Sequence, residues 1–412
     1  MLRMVYMAAL AAVFVFCFNL FPMGMGMEIY GVFVYMGIML GMYLSNSMIF
    51  DVRRYTIKNY ILVKVIDLVF FGTWFLITWE LWLIPFFMIF FGAQILLRAF
   101  ISALVYREEY VTVFGDGELE ENVVSSFSKV EGYGYIEFKG ESVEELKSFI
   151  ASNRISLVVL AKLKLTPEEI QEILKLKLAG TEVKGYLDYM LEYEQKVDVS
   201  YIDEEWLLNA YGFEILRSHF QNRMKRIFDL GMAFAIGILT APIMLIAAII
   251  VKLESPGGVI YSQARVGENG REFMVHKFRS MRADAEKHGA QWAQVNDPRV
   301  TKFGNFMRKT RIDELPQLLN VIKGEMSFIG PRPERLVFIK ELEKQIPYYG
   351  LRHMVKPGLT GWAQVMYPYG ATVEDARHKL EYDLYYIKAY SLYLDIIIMF
   401  KTLKTVVFGR GR

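Results

Sequence analysis

The chain is short of cysteine, of charge in its first quarter, and of any net excess of one sign. Cys17 is the only cysteine in 412 residues and lies in an apolar run. A disulfide framework is therefore excluded and a reducing compartment expected; Cys17 itself reads as lipid-facing or packed filler. Few charges fall before Arg107 and many after it, and the formal net charge is only +2. The net value hides that division and says little about partners; no nucleic-acid partner is expected. What is abundant is apolar surface. At 54% apolar residues with a positive mean hydropathy, the composition is too greasy for an ordinary soluble enzyme. The length allows two or three domains.

Residues 4–27 and 29–50 carry no charge, and each run exceeds the roughly 20 residues that a spanning helix needs. Two further apolar stretches, about 60–79 and 81–104, are interrupted by Lys64, Asp67 and Arg98. Lys64 and Asp67 would share a helix face and can pair. No small-residue cleavage site follows the first run, which argues against a removable signal peptide. Arg3, then Arg53, Arg54 and Lys58, then Arg98 and Arg107 alternate with loops bearing Glu28 and Glu80. The positive-inside rule then predicts four helices with both ends in the cytoplasm.

From about 108 to 205, β-rich runs alternate with helical ones. Tyr110–Gly115, Tyr135–Phe138, Ser156–Leu160 and Glu182–Leu187 read as strands, with helices at Glu118–Phe127, Glu141–Asn153 and Thr166–Leu178. The alternation predicts a small doubly wound sheet. Thr166-Pro167-Glu168-Glu169 is a helix start with an N-cap and a proline in the first position. Gly115-Asp116-Gly117 resembles the opening of a dinucleotide fingerprint, but Glu120 stands where the third glycine belongs. Nucleotide binding and a plain turn both stay open there, as do regulatory or assembly roles for the domain.

Lys225-Arg226-Ile227-Phe228-Asp229 opens a second kind of apolar segment, uncharged from Leu230 to Val251 and closing at Lys252. Its length would span a bilayer. Pro242 interrupts its middle, and basic residues flank both ends. Those features predict a re-entrant helical hairpin that enters at Arg226 and returns by Lys252; the competing reading is a proline-kinked fifth span. Near the end, Ser391–Phe408 mixes apolar residues with Asp395, Lys401 and Lys404. It reads either as an interfacial helix or as one packed on the core.

The chemistry concentrates in Arg308, Thr310-Arg311-Ile312-Asp313-Glu314-Leu315-Pro316-Gln317, Asn320-Val321 and Gly330-Pro331-Arg332-Pro333. Asp313 followed by Pro316 has a plain structural reading as a helix N-cap. Context adds more. Adjacent carboxylates can supply a nucleophile and a neighbouring acid or metal ligand. Guanidinium groups bind phosphate oxygens in pairs, and a helix start favours anions. Lys277 and Arg279, in Lys277-Phe278-Arg279-Ser280-Met281, could be solvated strand residues or phosphate ligands. A hard cation, Mg²⁺, would bridge carboxylates and a diphosphate.

Residues 223–412 closely resemble the catalytic domain of the bacterial sugar transferases that make polyprenyl-diphosphate-linked sugars, the monotopic phosphoglycosyl transferases. The matching pieces are Lys225-Arg226…Asp229, Pro242, Gln263…Arg265…Gly267, Lys277–Met281, Arg308…Asp313–Gln317, Asn320-Val321…Met326-Ser327, Gly330–Pro333, Lys356–Val365 and Asp383…Tyr386. The region before them resembles, more loosely, that of the large subgroup. Ser280 stands where threonine is common, and Met366–Gly370 where many relatives carry Asn-Gly-Arg; acceptor or sugar contacts of that loop are left open.

The resemblance implies an α/β membrane protein. Four transmembrane helices would occupy 1–106, a Rossmann-like cytosolic domain 107–205 and a linker 206–222. A mixed α/β catalytic domain would fill 223–412, anchored by a re-entrant helix at 226–252. It implies transfer of a sugar-1-phosphate from a UDP-sugar to undecaprenyl phosphate in a ping-pong mechanism at the inner membrane's cytoplasmic face, initiating exopolysaccharide or other surface glycan synthesis. Asp313 would attack the β-phosphorus and release UMP. Glu314 would bind Mg²⁺, with Asp313, or assist acceptor deprotonation. Lys277, Arg279, Arg308, Gln317, Arg332 and Asp383 would lie near the substrates. Membrane lipids are expected partners, and a symmetric homodimer fits a large-subgroup member. Two alternatives compete. A metal-dependent nucleotide-sugar glycosyltransferase usually carries Asp-x-Asp, a triplet this sequence lacks. A membrane scaffold on an inactive transferase domain would not need the intact acid pair. The sugar, the glycan pathway and the role of the middle domain are not written in the sequence.

Overall fold

The structure, a computed structural model, describes residues 10–15, 68, 71, 72, 75, 81, 83–105, 109–127, 133–282, 285, 297–368, 370 and 372–407. The expected span over 29–50, and most of those over 4–27 and 60–79, lie outside these residues. The chain divides into two compact units, Met1–Tyr186 and Leu187–Arg412.

In the first unit, α1 (Leu83–Val105) falls on the fourth expected apolar stretch. Its Phe86 and Phe90 meet Phe14 edge-on at 5.4 and 5.5 Å, and both also contact the ring of Phe71. Such edge-to-face aromatic contacts suit an apolar helix interface. Beyond it, β1 (Glu109–Gly115), α2 (Gly117–Phe127), β2 (Tyr133–Tyr135), α3 (Val143–Asn153), β3 (Ile155–Ala161), α4 (Pro167–Leu178) and β4 (Glu182–Gly185) alternate. All strand pairings are parallel, in the order β2-β1-β3-β4. The apolar run of β3 is almost wholly buried, as a central parallel strand requires. Thr166 caps α4 in a reciprocal box with Glu169, with Pro167 at its first position. Gly115 runs so close to β3 that a Cβ would lie 2.4 Å from the Ala161 carbonyl oxygen. The turn that follows is acidic. Burial and the charges of Glu137, Asp116 and Glu121 push the Glu120 carboxyl up, and Lys162, over the Phe114 ring at the end of β1, is paired with Glu169 at 3.0 Å. Such a mouth repels phosphate, which supports the plain-turn reading of Gly115-Asp116-Gly117.

The second unit starts earlier than the 205/206 boundary expected from the sequence. Val197, Val199 and Ile202 sit in its core beside Trp362 and Leu380, and the Trp362 indole donates to the Gln195 carbonyl at 2.9 Å. The expected linker contains α5 (Glu204–Asn209) and α6 (Glu214–Arg217). There follow α7 (His219–Glu254), the antiparallel pair β5 (Ile260–Val266) and β6 (Glu272–Phe278), and α8 (Lys302–Thr310). A 3₁₀ turn (Ile312–Gln317) runs into α9 (Leu318–Lys323). Next come β7 (Ser327–Ile329), α10 (Leu336–Gln345), β8 (Gly358–Thr360), α11 (Trp362–Met366), α12 (Val373–Lys388) and α13 (Leu392–Val407). β7 and β8 pair in parallel. In α13, Leu394 and Ile398 are buried in the main core, so this helix packs on the rest of the second unit.

Where a hairpin was expected, α7 is one helix, continuous through Pro242. Proline removes the N–H that would reach the Ile238 carbonyl and crowds that turn. The neighbouring Thr240 hydroxyl bonds the Ile236 carbonyl at 2.7 Å, so the ladder loses a rung rather than ending. Among the described residues α7 is the one helix long and apolar enough to cross a membrane. Ile238, Leu239, Ile243, Leu245 and Ile246 in its middle are exposed. Both ends, however, belong to the same unit: Ala233 lies in the main core, and Ala247 and Val251 pack with Phe278 and Met307.

Candidate active site

The acid pair sits where the chain reverses. α8 ends at Arg311, whose φ of 59° places it in the left-handed region, and the 3₁₀ turn begins with Ile312. Asp313, Glu314 and Gln317 are all buried there. Asn320, fully buried in α9, fixes this segment against β6: its side-chain amide donates to the Met274 carbonyl at 2.8 Å and accepts from the His276 N–H at 3.3 Å. Lys277 on β6 is thereby brought to the acids. On the other side, β7 and Gly330-Pro331 deliver Arg332.

The two carboxylates have opposite environments. Oε1 of Glu314 accepts from Lys277 Nζ at 3.0 Å and from Arg332 Nη2 at 2.7 Å, while Oε2 faces Arg311 Nη1 at 3.4 Å. Burial by itself would raise the Glu314 carboxyl, but Arg332, Lys277 and Arg311 outweigh it and hold it well below the usual range. Burial pulls the Lys277 ammonium down. The Glu314 charge beside Arg332 holds that guanidinium above its ordinary value. Asp313, one residue away, has an Oδ1 that is buried with no hydrogen-bond partner among the described residues. Burial first, and the Glu314 charge second, push it up to about 6, against the pull of Lys277, Arg308 and Arg311. Glu314 is thus an ionised anchor for three cations. Asp313 is a desolvated carboxylate with a buried oxygen that no described residue bonds, the condition of a poised nucleophile.

The remaining sequence candidates divide. Gln317, one turn beyond Asp313, has a buried Nε2 without a partner among the described residues. Arg308, in the last turn of α8, acts on Asp313 through its charge. Asp383 lies a layer behind. It pairs with Arg352 at 2.8 Å, and Arg352 in turn donates to the Arg332 carbonyl at 3.1 Å and the Tyr349 hydroxyl at 2.5 Å. Burial raises Asp383 to about 6 in spite of Arg352. Arg279 is not with the acids. Its guanidinium donates to the carbonyls of Ser255 and Pro256 at 2.7 Å each, where α7 ends, because a cation there satisfies carbonyls that have no helical donor. Gln364 enters the site without having been singled out: its Oε1 accepts from Arg332 Nη1 at 3.3 Å, and its buried Nε2 has no partner among the described residues. The signal for it was present in Trp362-Ala363-Gln364; Arg352 had none.

The donor set also bears on magnesium. Among the described residues no three His, Cys, Asp or Glu side chains converge on a metal position. The unbonded, buried Oδ1 of Asp313 fits Mg²⁺ in the mode in which one carboxylate and the substrate's phosphates hold it. Glu314, the other expected ligand, has both oxygens engaged by cations.

With this geometry in place, sequence comparison decides the family. A profile described as bacterial sugar transferase matches residues 220–409, from the start of α7 to the end of α13. The Rhizobium leguminosarum bv. phaseoli exopolysaccharide production protein PSS is 40% identical over 195 residues, 46% of this chain and 98% of that protein. The chain belongs to the bacterial sugar transferase family. Two longer members are also similar to it. The Aeromonas hydrophila UDP-N-acetylgalactosamine-undecaprenyl-phosphate N-acetylgalactosaminephosphotransferase is 51% identical over 188 residues, 46% of this chain and 44% of the relative. The Escherichia coli (strain K12) UDP-glucose:undecaprenyl-phosphate glucose-1-phosphate transferase is 45% identical over 181 residues, 43% of this chain and 39% of the relative. The matched stretch therefore spans less than half the length of either, and in this bacterial sugar transferase it coincides with the unit that holds the acid pair.

Proposed function

We propose that this protein transfers a sugar-1-phosphate from a UDP-sugar to undecaprenyl phosphate, giving undecaprenyl-diphospho-sugar and UMP, by a ping-pong mechanism through Asp313. One observation carries the reading: the acid pair is split, with Glu314 neutralised by Lys277, Arg332 and Arg311, and Asp313 desolvated with an oxygen that no described residue bonds. The names of the relatives support the substrate classes.

In the first half-reaction an Asp313 carboxylate oxygen bonds to the β-phosphorus. The bridging P–O bond breaks, its electrons leave with UMP, and an acyl phosphosugar remains. In the second, an oxygen of the acceptor phosphate bonds to the same phosphorus, and the P–Oδ bond breaks to restore the carboxylate. A phosphate monoester, with its second pKa near 6, is already largely ionised at neutral pH, so no base is required. Glu314 accordingly serves to hold Lys277, Arg332 and Arg311 around the diphosphate rather than to take a proton. The partly exposed faces of those cations offer the phosphate contacts. Mg²⁺, held by Asp313 and substrate phosphates, would offset charge that builds on the transferring group.

The membrane seat follows from α7. Its exposed apolar middle suits lipid, while both ends return to one compact unit. We read it as dipping into the cytoplasmic leaflet of the inner membrane and bending at Pro242, which brings the acid pair to headgroup depth beside a prenyl phosphate. The four N-terminal helices and the cytoplasmic placement of the catalytic unit belong to the same reading.

The test is product identity. A panel of UDP-sugars with undecaprenyl phosphate and Mg²⁺ should give UMP from one donor class and none with Asp313→Ala. Release of UDP would indicate glycosyl transfer, and the absence of any product would favour a scaffold.

A further inference from the structure

Lys225-Arg226 is one of the two basic flanks of the apolar segment. The fold turns both of its residues inward. Lys225 is 7% exposed and pairs with Asp395 at 2.9 Å. Arg226 sends Nη1 to the Val321 carbonyl at 2.6 Å and Nη2 to the Ile322 carbonyl at 2.7 Å. Those carbonyls lie in the last turn of α9, which ends at Gly324 with a φ of 85°. The Val321 carbonyl accepts in addition from the Gly324 N–H at 3.0 Å, and a cation is favoured at that end. A planar guanidinium spans two successive carbonyls, whereas an ammonium is a point donor.

α9 continues directly from the turn that carries Asp313 and Glu314. Three residues after Arg226, Asp229 Oδ1 accepts from the Ser327 hydroxyl and the Phe328 N–H, both at 3.0 Å, on the strand that leads to Arg332. One turn of α7 thus grips both walls of the site, and the bond between Arg332 and Glu314 crosses from one wall to the other.

We propose that Arg226 is a positioning residue for the acid pair: without touching substrate, it holds α9 so that the membrane helix sets where Asp313 and Glu314 stand. Only the kinetic part of its test rests on the reaction proposed above.

The experiment compares wild type with Arg226→Lys, which keeps the charge at the membrane but loses the fork, in nanodiscs containing anionic lipid. Hydrogen exchange over residues 312–324 should quicken about tenfold while the rest of the catalytic unit is unchanged. The kcat for UMP release should fall about 10- to 100-fold with KM for the UDP-sugar within about twofold, as small misplacements of reacting groups do. The variant should stay in the disc. Unchanged exchange and kcat would overturn the proposal, as would faster exchange throughout (a general fold contact). If wild type releases no UMP from any donor, the reaction reading has failed, and the local exchange result still decides what Arg226 holds.

Discussion

Replacing Asp313 with asparagine should abolish UMP release and also stabilise the catalytic unit. The carboxyl is raised from 3.8 to about 6, mainly by burial. At about 1.4 kcal/mol per pH unit, holding it ionised in the fold costs up to about 3 kcal/mol. The direction follows from proton binding. Below about pH 4 the group is protonated folded and unfolded, and no cost arises. As pH rises from there towards 6 the unfolded chain loses the proton first, so wild-type stability falls, and above about 6 the loss is complete. Asparagine has the same shape and no charge to desolvate. Thermal unfolding in detergent should therefore show Asp313→Asn melting higher at pH 8, by roughly 6–12 °C for a unit of this size if the full 3 kcal/mol is realised. The gap should close by about pH 4. A variant less stable than wild type at pH 8, or a gap that does not change with pH, would refute the claim that Asp313 is the desolvated acid.

Glu314→Gln should do the reverse, lowering stability by about 2–3 kcal/mol at pH 8, because Lys277, Arg332 and Arg311 lose the charge they share; thermal melts beside Asp313→Asn check the opposite signs. Asp383→Asn should weaken the hold of Arg352 on the Arg332 carbonyl and lower kcat about tenfold without abolishing UMP release, in a steady-state assay. Chelation with EDTA should stop UMP release and added Mg²⁺ restore it, while the melting temperature without substrate stays within about 1 °C, because the substrate supplies part of the metal's shell.

Much of the first unit could be read directly. The run Ile155–Ala161 is apolar except for Ser156 because its strand lies between two others, and Thr166-Pro167 marks a helix start by local chemistry alone. The unit boundary could not be read, because Val197, Val199 and Ile202 look like an ordinary short run until Trp362 and Leu380 are seen against them. In the site, Asp313, Glu314 and Arg332 stood out through spacing and turn residues. Their division of labour did not, since it depends on which acid the cations reach. Arg279 misled because proximity to Lys277 in sequence does not reveal that its guanidinium caps α7. Nor does the sequence show that the basic pair Lys225-Arg226 is turned into the protein.

The central claim is a covalent phosphosugar on Asp313, and a rapid-mixing experiment without acceptor tests it most directly. Wild type mixed with Mg²⁺ and its UDP-sugar should release about one UMP per active site in a burst. Intact-protein mass should rise by one sugar phosphate, on a peptide containing Asp313, and undecaprenyl phosphate should then clear it. UMP that appears only when acceptor is present, with no adduct on the protein, would mean direct transfer between the two substrates and contradict the account.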